Sequence, residues 1–417
     1  MRWTAAWFLP ALACTCWAAH LQTIYIFPDM AAGELPSSPL VMDKAGDLYG
    51  TTIQGGNGSG NVYRLSPPAH VGQPWTETVI YEFQGLPNDG ASPQGSLVMD
   101  AAGHLYGEAL GGGRLGCRDS GSTGCGLIYE LSPPSSGTGP WTETIVYEFQ
   151  PGGDGWEPVG GMAMDSSGAL YGATLNGGSA QANYGTVFRL TPPSVPGNQW
   201  TETILHVFGG TDDGRQPYGG PILDAAGNLY GLTNLGGRPG CEGTAYELSP
   251  PNEPGGNWAE TILHNFRVST DGWNPTGSLT FDRFGNLYGT TYNGVKDGQG
   301  TLFSLTPPAS PGGDWKETII VQYTGPNGAY PYRMSTVFDS EGTLWVPTDG
   351  VWNGTLSRYA PPASPGGLWT TLFQVTFPDN GLGAYPGAGV YVAPDGTIYG
   401  LREGGTVTNS GSVFEYK

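Results

Sequence analysis

The feature that most constrains this chain is a short motif, Leu-Tyr-Gly or a close variant, that returns seven times. Its aromatic falls at Tyr49, Tyr106, Tyr171, Tyr230, Tyr288, Trp345 and Tyr399, with spacings of 57, 65, 59, 58, 57 and 54 residues. So even a period marks one supersecondary unit repeated in tandem, and the fold has to be an array of that unit. Each unit carries four short runs rich in β-branched and aromatic residues. The first resembles "GSLVMD" (Gly95–Asp100), and the second surrounds "LYG". The third follows a glycine, as in "GTVFRL" from Gly185, and the fourth resembles "WTETVIYEF" (Trp75–Phe83). Composition of this kind is a strand signal, and the runs are called strands A to D.

Four strands in each of seven units predict an all-β protein, a seven-bladed β-propeller of four-stranded antiparallel blades. A solenoid is the rival architecture, but solenoids need atypical capping repeats. This chain opens instead on a lone D-like strand, "HLQTIYIF" (His20–Phe27), and runs out just after strand C of unit seven. The count closes if the N-terminal strand completes the last blade, which leaves no open edge. The propeller is expected to span residues 20–417.

An aspartate stands six residues before the motif aromatic in six units: Asp43, Asp100, Asp165, Asp224, Asp282 and Asp339. Ala393 takes the place in the seventh. A glycine follows three residues after it, which makes a turn signature. A calcium loop needs several oxygen ligands from one segment, and one carboxylate per turn does not provide them. The motif aromatics, and the tryptophans that open strand D, are expected to pack blade against blade. A sugar platform is the alternative for the tryptophans.

The D–A connections carry a "DGxxP" theme at Asp89, Asp154, Asp213 and Asp271, continued at Asn327. In a meander these connections share one face with the B–C loops. With Trp156, Tyr218, Trp273 and Tyr330 the four acids form the candidate ligand-binding set, suited to a sugar, a cation or a peptide. Plain turn chemistry is the competing reading. In the longest B–C loop, Cys117 and Cys125 are expected to form a disulfide. Cys241 would stay free or exchange with one of them. His206 and His264 replace Tyr81 and Tyr147 in strand D and read as packing variants. No serine elbow or His-x-x-x-His pair occurs, and no catalytic residue, metal or cofactor is assigned.

The chain has 36 acidic against 16 basic residues, a formal net charge of −20. Phosphate backbones and anionic membranes would be repelled, so nucleic acid is excluded as a partner. Residues 1–19 combine Arg2, an apolar core and small residues at Ala18 and Ala19, the pattern of a signal peptide. Lipidation at Cys14 is the alternative. The segment is too short for a membrane span. An extracellular or periplasmic location follows.

With the units in register, "D-x-x-G-N-L-Y-G-T-T-x-x-G-G … G-T-V-F-x-L-T-P" resembles the GloVer-type tandem repeats of exported bacterial proteins. "GNLYGTT" (Gly285–Thr291) and Gly185–Leu190 carry the likeness most closely. The resemblance implies a propeller-like fold and export, and no reaction. The expected function is a non-catalytic binding or scaffold module, monomeric, with a glycan or another envelope protein as partner. Two alternatives stay open: a carbohydrate-active hydrolase or lyase using the D–A acids, and a purely structural envelope protein.

Overall fold

The structure is a computed structural model that describes residues 20–417, apart from 29–32, 71, 118–123, 180–182, 196, 254, 297, 311, 351–352, 364–366, 378–384 and 404–410. The expected signal peptide, with Cys14, lies outside the described residues. All regular elements among the described residues are β-strands, gathered into seven antiparallel sheets in chain order. In blade 4, for example, the order is Ile222–Leu223, Leu229–Thr233, Cys241–Ser249 and Ala259–Arg267. Blade 7 is completed from the other end of the chain. Leu21–Ile26 pairs with Ser412–Tyr416, from Leu21 opposite Tyr416 to Ile26 opposite Ser412. The propeller and its closure by the N-terminal strand are as the sequence predicts.

Strand A differs from expectation. In blades 2, 3 and 5 the "DGxxP" segment forms the first half of strand A rather than a loop, whereas in blade 4 it makes only isolated bridges, such as Arg215 opposite Leu235. Gly155–Pro158 pairs with strand B in blade 3, and Trp273–Pro275 does so in blade 5. Blade 2 runs both halves together as Gly90–Met99, with a register shift after Gln94. Strand A is the edge that lines the axis, and an edge strand tolerates proline. That proline also couples the blades. Pro217 of blade 4 lies on Gly185 of blade 3, where a Cβ would come within 2.8 Å of Pro217 Cδ. The same contact joins Pro36 to Gly411, which locks blade 1 onto blade 7.

The core lies between blades. Phenylalanines that end strand D, such as Phe83 and Phe266, are fully buried. They meet a ring from strand C of the next blade edge-on or tilted, as in Phe83–Tyr129 and Phe266–Phe303, both 4.9 Å. The motif glycine admits that strand C ring: a Cβ on Gly289 would sit 2.8 Å from Phe303 Cζ. Motif tyrosines pack against the next blade's tryptophan (Tyr49–Trp141, Tyr106–Trp200), and Tyr399–Trp75 repeats this across the ring closure. The expected blade-to-blade role of both aromatics is what the contacts show.

Strand D carries a register shift in each of blades 1 to 5, as between Ile145 and Tyr147. Side chains alternate along a strand, so one extra residue changes which neighbour the later side chains meet. Glu143, before the shift, meets Tyr81 of blade 1, and Tyr147, after it, meets Glu202 of blade 3.

Candidate functional site

The repeated aspartates close the A–B hairpins. Asp282 Oδ1 accepts from the amides of Phe284 (2.8 Å) and Asn286 (2.9 Å), and its Oδ2 from the Tyr288 hydroxyl (3.0 Å). Each carboxylate is thus spent on its own turn. Where blade 7 has Ala393 the hairpin persists, with Asp395 accepting from the Thr397 amide.

The four D–A acids of the candidate set are also turn anchors. Asp154 Oδ2 accepts from the Gln150 amide at 2.9 Å, and Asp213 Oδ2 from the Gly209 amide at 2.5 Å. Each also faces the ring that stands two residues before the phenylalanine ending its strand D. Tyr81 lies 3.1 Å from Asp89, Tyr147 lies 3.0 Å from Asp154, and His206 and His264 lie 3.1 Å from Asp213 and Asp271. A glutamate from the next blade completes each triad: Glu143, Glu202, Glu260 and Glu317. Burial and the facing aspartate push the carboxyls of Glu143, Glu202 and Glu260 upward. His206 and His264 do pack, edge-on against Phe208 and Phe266, but the packing reading missed their carboxylate partners.

The aromatics of the candidate set separate. Trp156 packs into the core between blades 2 and 3, and Trp273 begins the inner strand of blade 5 opposite Asn293. Tyr218 and Tyr330 reach a cluster at the axis. Tyr218 lies 6.2 Å from Tyr332 between ring centres, Tyr292 lies 5.2 Å from Tyr330, and Tyr292 lies 5.7 Å from Tyr332. The Arg333 guanidinium sits 5.0 Å from the Tyr218 ring centre and 5.3 Å from that of Tyr332. It donates to Gln94 of blade 2, across the axis. Such cation–π pairs contribute about 0.5–2 kcal/mol each.

Below this cluster the axis is nearly closed. Segments of all seven blades line it, including Ser37, Gln94, Gly160, Gly219, Gly277 and Ala388, around a free volume of about 40 Å³. That holds a few waters and no sugar ring. The mouth of the channel, rather than its bore, is therefore the place for a ligand.

Two carboxylates flank the mouth. Burial, and the neighbouring Glu403, raise Asp349 to about 8. Burial raises Glu403 to about 7, opposed by Arg333. A third, Glu108, is 1% exposed in strand B of blade 2, and burial lifts it to about 8. Its Oε2 accepts from the Gly161 amide at 2.8 Å.

The sequence reading passed over Arg333, Asp349, Glu403 and Glu108. Broken symmetry would have found two of them. Arg333 stands where the other units have Ser38, Gly95, Gly160, Gly219, Gly277 and Ala388. Glu108 stands where they have Thr51, Ala173, Leu232, Thr290, Pro347 and Leu401. The Cys117–Cys125 disulfide is formed, and Cys241 is buried as a free thiol.

A profile of the Gloeobacter/Verrucomicrobia repeat matches residues 114–350. No curated protein sequence matches the chain. Solved structures share the fold at low identity. A PL25 ulvan lyase is 11% identical over 94% of this chain and 95% of its own, with a TM-score of 0.56. The polysaccharide lyase Uly1 is 13% identical over 94% and 90%, with a TM-score of 0.53. A protein from Lactobacillus plantarum is 14% identical over 89% and 99%, with a TM-score of 0.52.

Proposed function

The chain belongs to the Gloeobacter/Verrucomicrobia repeat family, and from that premise we propose that it is an exported, non-catalytic carbohydrate-binding propeller. The observation that carries the reading is the cluster of Tyr218, Tyr292, Tyr330, Tyr332 and Arg333 at a channel mouth whose bore admits nothing larger than water. Aromatic faces offer flat apolar area to the C–H faces of a sugar at little entropic cost. Arg333 and Gln94 supply polar groups that fix orientation. Asp349 and Glu403, held near neutrality, can donate to hydroxyls without filling the mouth with negative charge. The Cys117–Cys125 disulfide supports an oxidising, extracellular or periplasmic location. The protein acts as a monomer, with a glycan, or an envelope protein bearing one, as its partner.

One observation favours an enzymatic second reading. Asp349 and Glu403 are raised into the range where a carboxyl can serve as general acid or base near neutral pH. The D–A acids are weaker candidates, being tied to their own turns. A glycan array on the purified chain, followed by product analysis of every ligand found, separates the readings. Binding that Tyr332→Ala reduces, with no new reducing end or unsaturated product, supports the binding module. Product formation overturns it, and binding that survives both Tyr332→Ala and Arg333→Ala overturns the site.

A further inference from the structure

Four consecutive blade junctions carry a comparable constellation on the outer strands, and its chemistry changes partway round the ring. Between blades 1 and 2 and between blades 2 and 3, a phenol faces two carboxylates. Tyr81 meets Asp89 and Glu143, and Tyr147 meets Asp154 and Glu202. Between blades 3 and 4 the ring is His206, facing Asp213 and Glu260. Between blades 4 and 5 it is His264, facing Asp271 and Glu317. At the next junction Val321 stands at the ring position and Thr371 at the glutamate position, so the set ends.

The change from phenol to imidazole alters what the site can hold. A neutral phenol has one hydrogen to give and is a poor metal ligand at neutral pH. An imidazole Nε2 is among the commonest ligands of zinc-type ions. We propose that His206–Asp213–Glu260 and His264–Asp271–Glu317 are two binding sites for a divalent transition metal of the zinc class, each joining adjacent blades. This revises the expectation that the chain has no metal site.

The geometry suits such an ion. His206 Nε2 lies 3.1 Å from Asp213 Oδ1 and 3.6 Å from Glu260 Oε1. His264 Nε2 lies 3.1 Å from Asp271 Oδ2. In both clusters the three ligand atoms fall within 4.8 Å of one another. A tetrahedral zinc ion with bonds of about 2.0–2.1 Å spaces its ligand atoms about 3.4 Å apart. The imidazoles are already oriented, with ring centres 4.8 and 4.9 Å from Phe208 and Phe266. Glu260 Oε1 and Glu317 Oε1 are buried and accept no hydrogen bond. Glu143 Oε1 and Glu202 Oε1 are likewise unpaired in the tyrosine triads, where the phenol engages Oε2 at 2.9 Å, so the imidazole itself is what sets the histidine junctions apart. Side chains of His206, Asp213 and Glu260 remain 17–21% exposed, so an ion can enter and a water can complete four-coordination.

A register shift in strand D lets one strand serve both sites. Ala259–Arg267 gives Glu260 to the blade 3–4 junction and His264 to the blade 4–5 junction, with the shift lying between them. Metal binding there would tie three consecutive blades through their outer strands.

Isothermal titration of the chelator-treated, full-length chain with Zn²⁺, and with Co²⁺ followed by its visible absorption, tests the assignment. Two equivalents are expected, one lost in His206→Tyr, the other in His264→Tyr, and both in the double variant. Tyrosine is native at the matching places in blades 1 and 2, so these variants retain a side chain the fold accommodates. Conversely, Tyr147→His beside Asp154 and Glu202 should create a third equivalent. Absence of Zn²⁺ binding in the parent chain overturns the proposal. So does retention of both equivalents by the double variant, or Ca²⁺ binding at the same sites as tightly as Zn²⁺.

Discussion

On the face that carries the A–B turns, six blades use an aspartate to close one hairpin in one way, as Asp224 and Asp282 do through the amides two and four residues on. On the opposite face the residue before the "DGxxP" proline is a tyrosine in blades 6 and 7 (Tyr330, Tyr385) but otherwise varies, so that blades 1 to 6 carry six different residues: Leu35, Ser92, Glu157, Gln216, Asn274 and Tyr330. Yet all six share a left-handed backbone, with φ between +47° and +61°. That conformation is costly for a residue with a side chain. It persists because its surroundings over-determine it. Ser92, Glu157, Gln216 and Tyr330 donate their amides to carbonyls of the preceding blade (Ser59, Cys125, Tyr184 and Gln299), and the following proline rests on a strand C glycine of that blade. The first face repeats residue and conformation together. The second repeats conformation alone and leaves the side chain free to vary. Architecture is thus carried by the latch, and chemistry by what the latch presents at the channel mouth.

The sharpest way to break this comparison is to damage the latch itself. Gly185 (φ +94°) and Gly197 (φ +88°) have nearly the same φ, but a Cβ on Gly185 would meet Pro217 and, still closer, the Thr174 carbonyl, whereas one on Gly197 meets nothing within 4 Å. Gly185→Val should cost about 3 kcal/mol or more in urea unfolding, and Gly197→Ala about 1 kcal/mol. Equal costs would mean that the proline–glycine contact does not hold the blades together.

Much of this latch was legible. A glycine opening strand C and a proline closing "DGxxP" recur at fixed places, and the seven-unit count with its N-terminal closing strand follows from spacing alone. What spacing does not convey is which repeat touches which. The contact of Pro217 with Gly185 crosses between blades, so "DGxxP" read as a loop although half of it pairs in a ladder. The same limit hid the His206 and His264 triads. Each draws its glutamate from the following unit, more than 50 residues on, and a unit read singly shows only a tyrosine replaced by a histidine.

A second test concerns a residue that departs from its repeat. Glu108 stands where the other blades carry threonine, alanine, leucine or proline and is buried with Oε1 accepting no hydrogen bond. Burial raises it from 4.5 to about 8 in the folded chain, with the Gly161 amide opposing. Between about pH 4.5 and 8 the folded state therefore keeps a proton that the unfolded state has released. Stability falls as pH rises through that window, by at most about 1.4 kcal/mol per pH unit from this group. Glu108→Gln should remove that part of the slope, raising stability at pH 8 by about 4 kcal/mol and changing it little at pH 4.5. Unfolding free energies at the two pH values check this. An unchanged slope would place the burden on Asp349 and Glu403 instead.

Asp282→Ala tests the uniform face. It removes the acceptor for two amides and the Tyr288 hydroxyl, and should cost about 1–2 kcal/mol of stability. Glycan affinity should stay at its parent value, because the A–B turns lie on the face away from the channel mouth. A loss of binding on this side would dissolve the division between the two faces.

The smallest effect on stability is expected where the effect on binding is largest. Tyr332 is 39% exposed, and its ring stands over Arg333 rather than in any blade core. Tyr332→Ala should change unfolding free energy by less than about 0.5 kcal/mol, as surface substitutions do. It should still weaken glycan binding about tenfold, the loss of about 1.4 kcal/mol expected when a stacking ring is removed. Arg333→Ala adds a stability cost, since its guanidinium spans the axis to Gln94 and stacks on Tyr218, and both contacts are lost when it is removed. The two variants therefore differ in kind. Tyr332 separates binding from folding, and Arg333 couples them, because the group that ties blade 6 to blade 2 across the closed bore is also the cation at the centre of the ligand site.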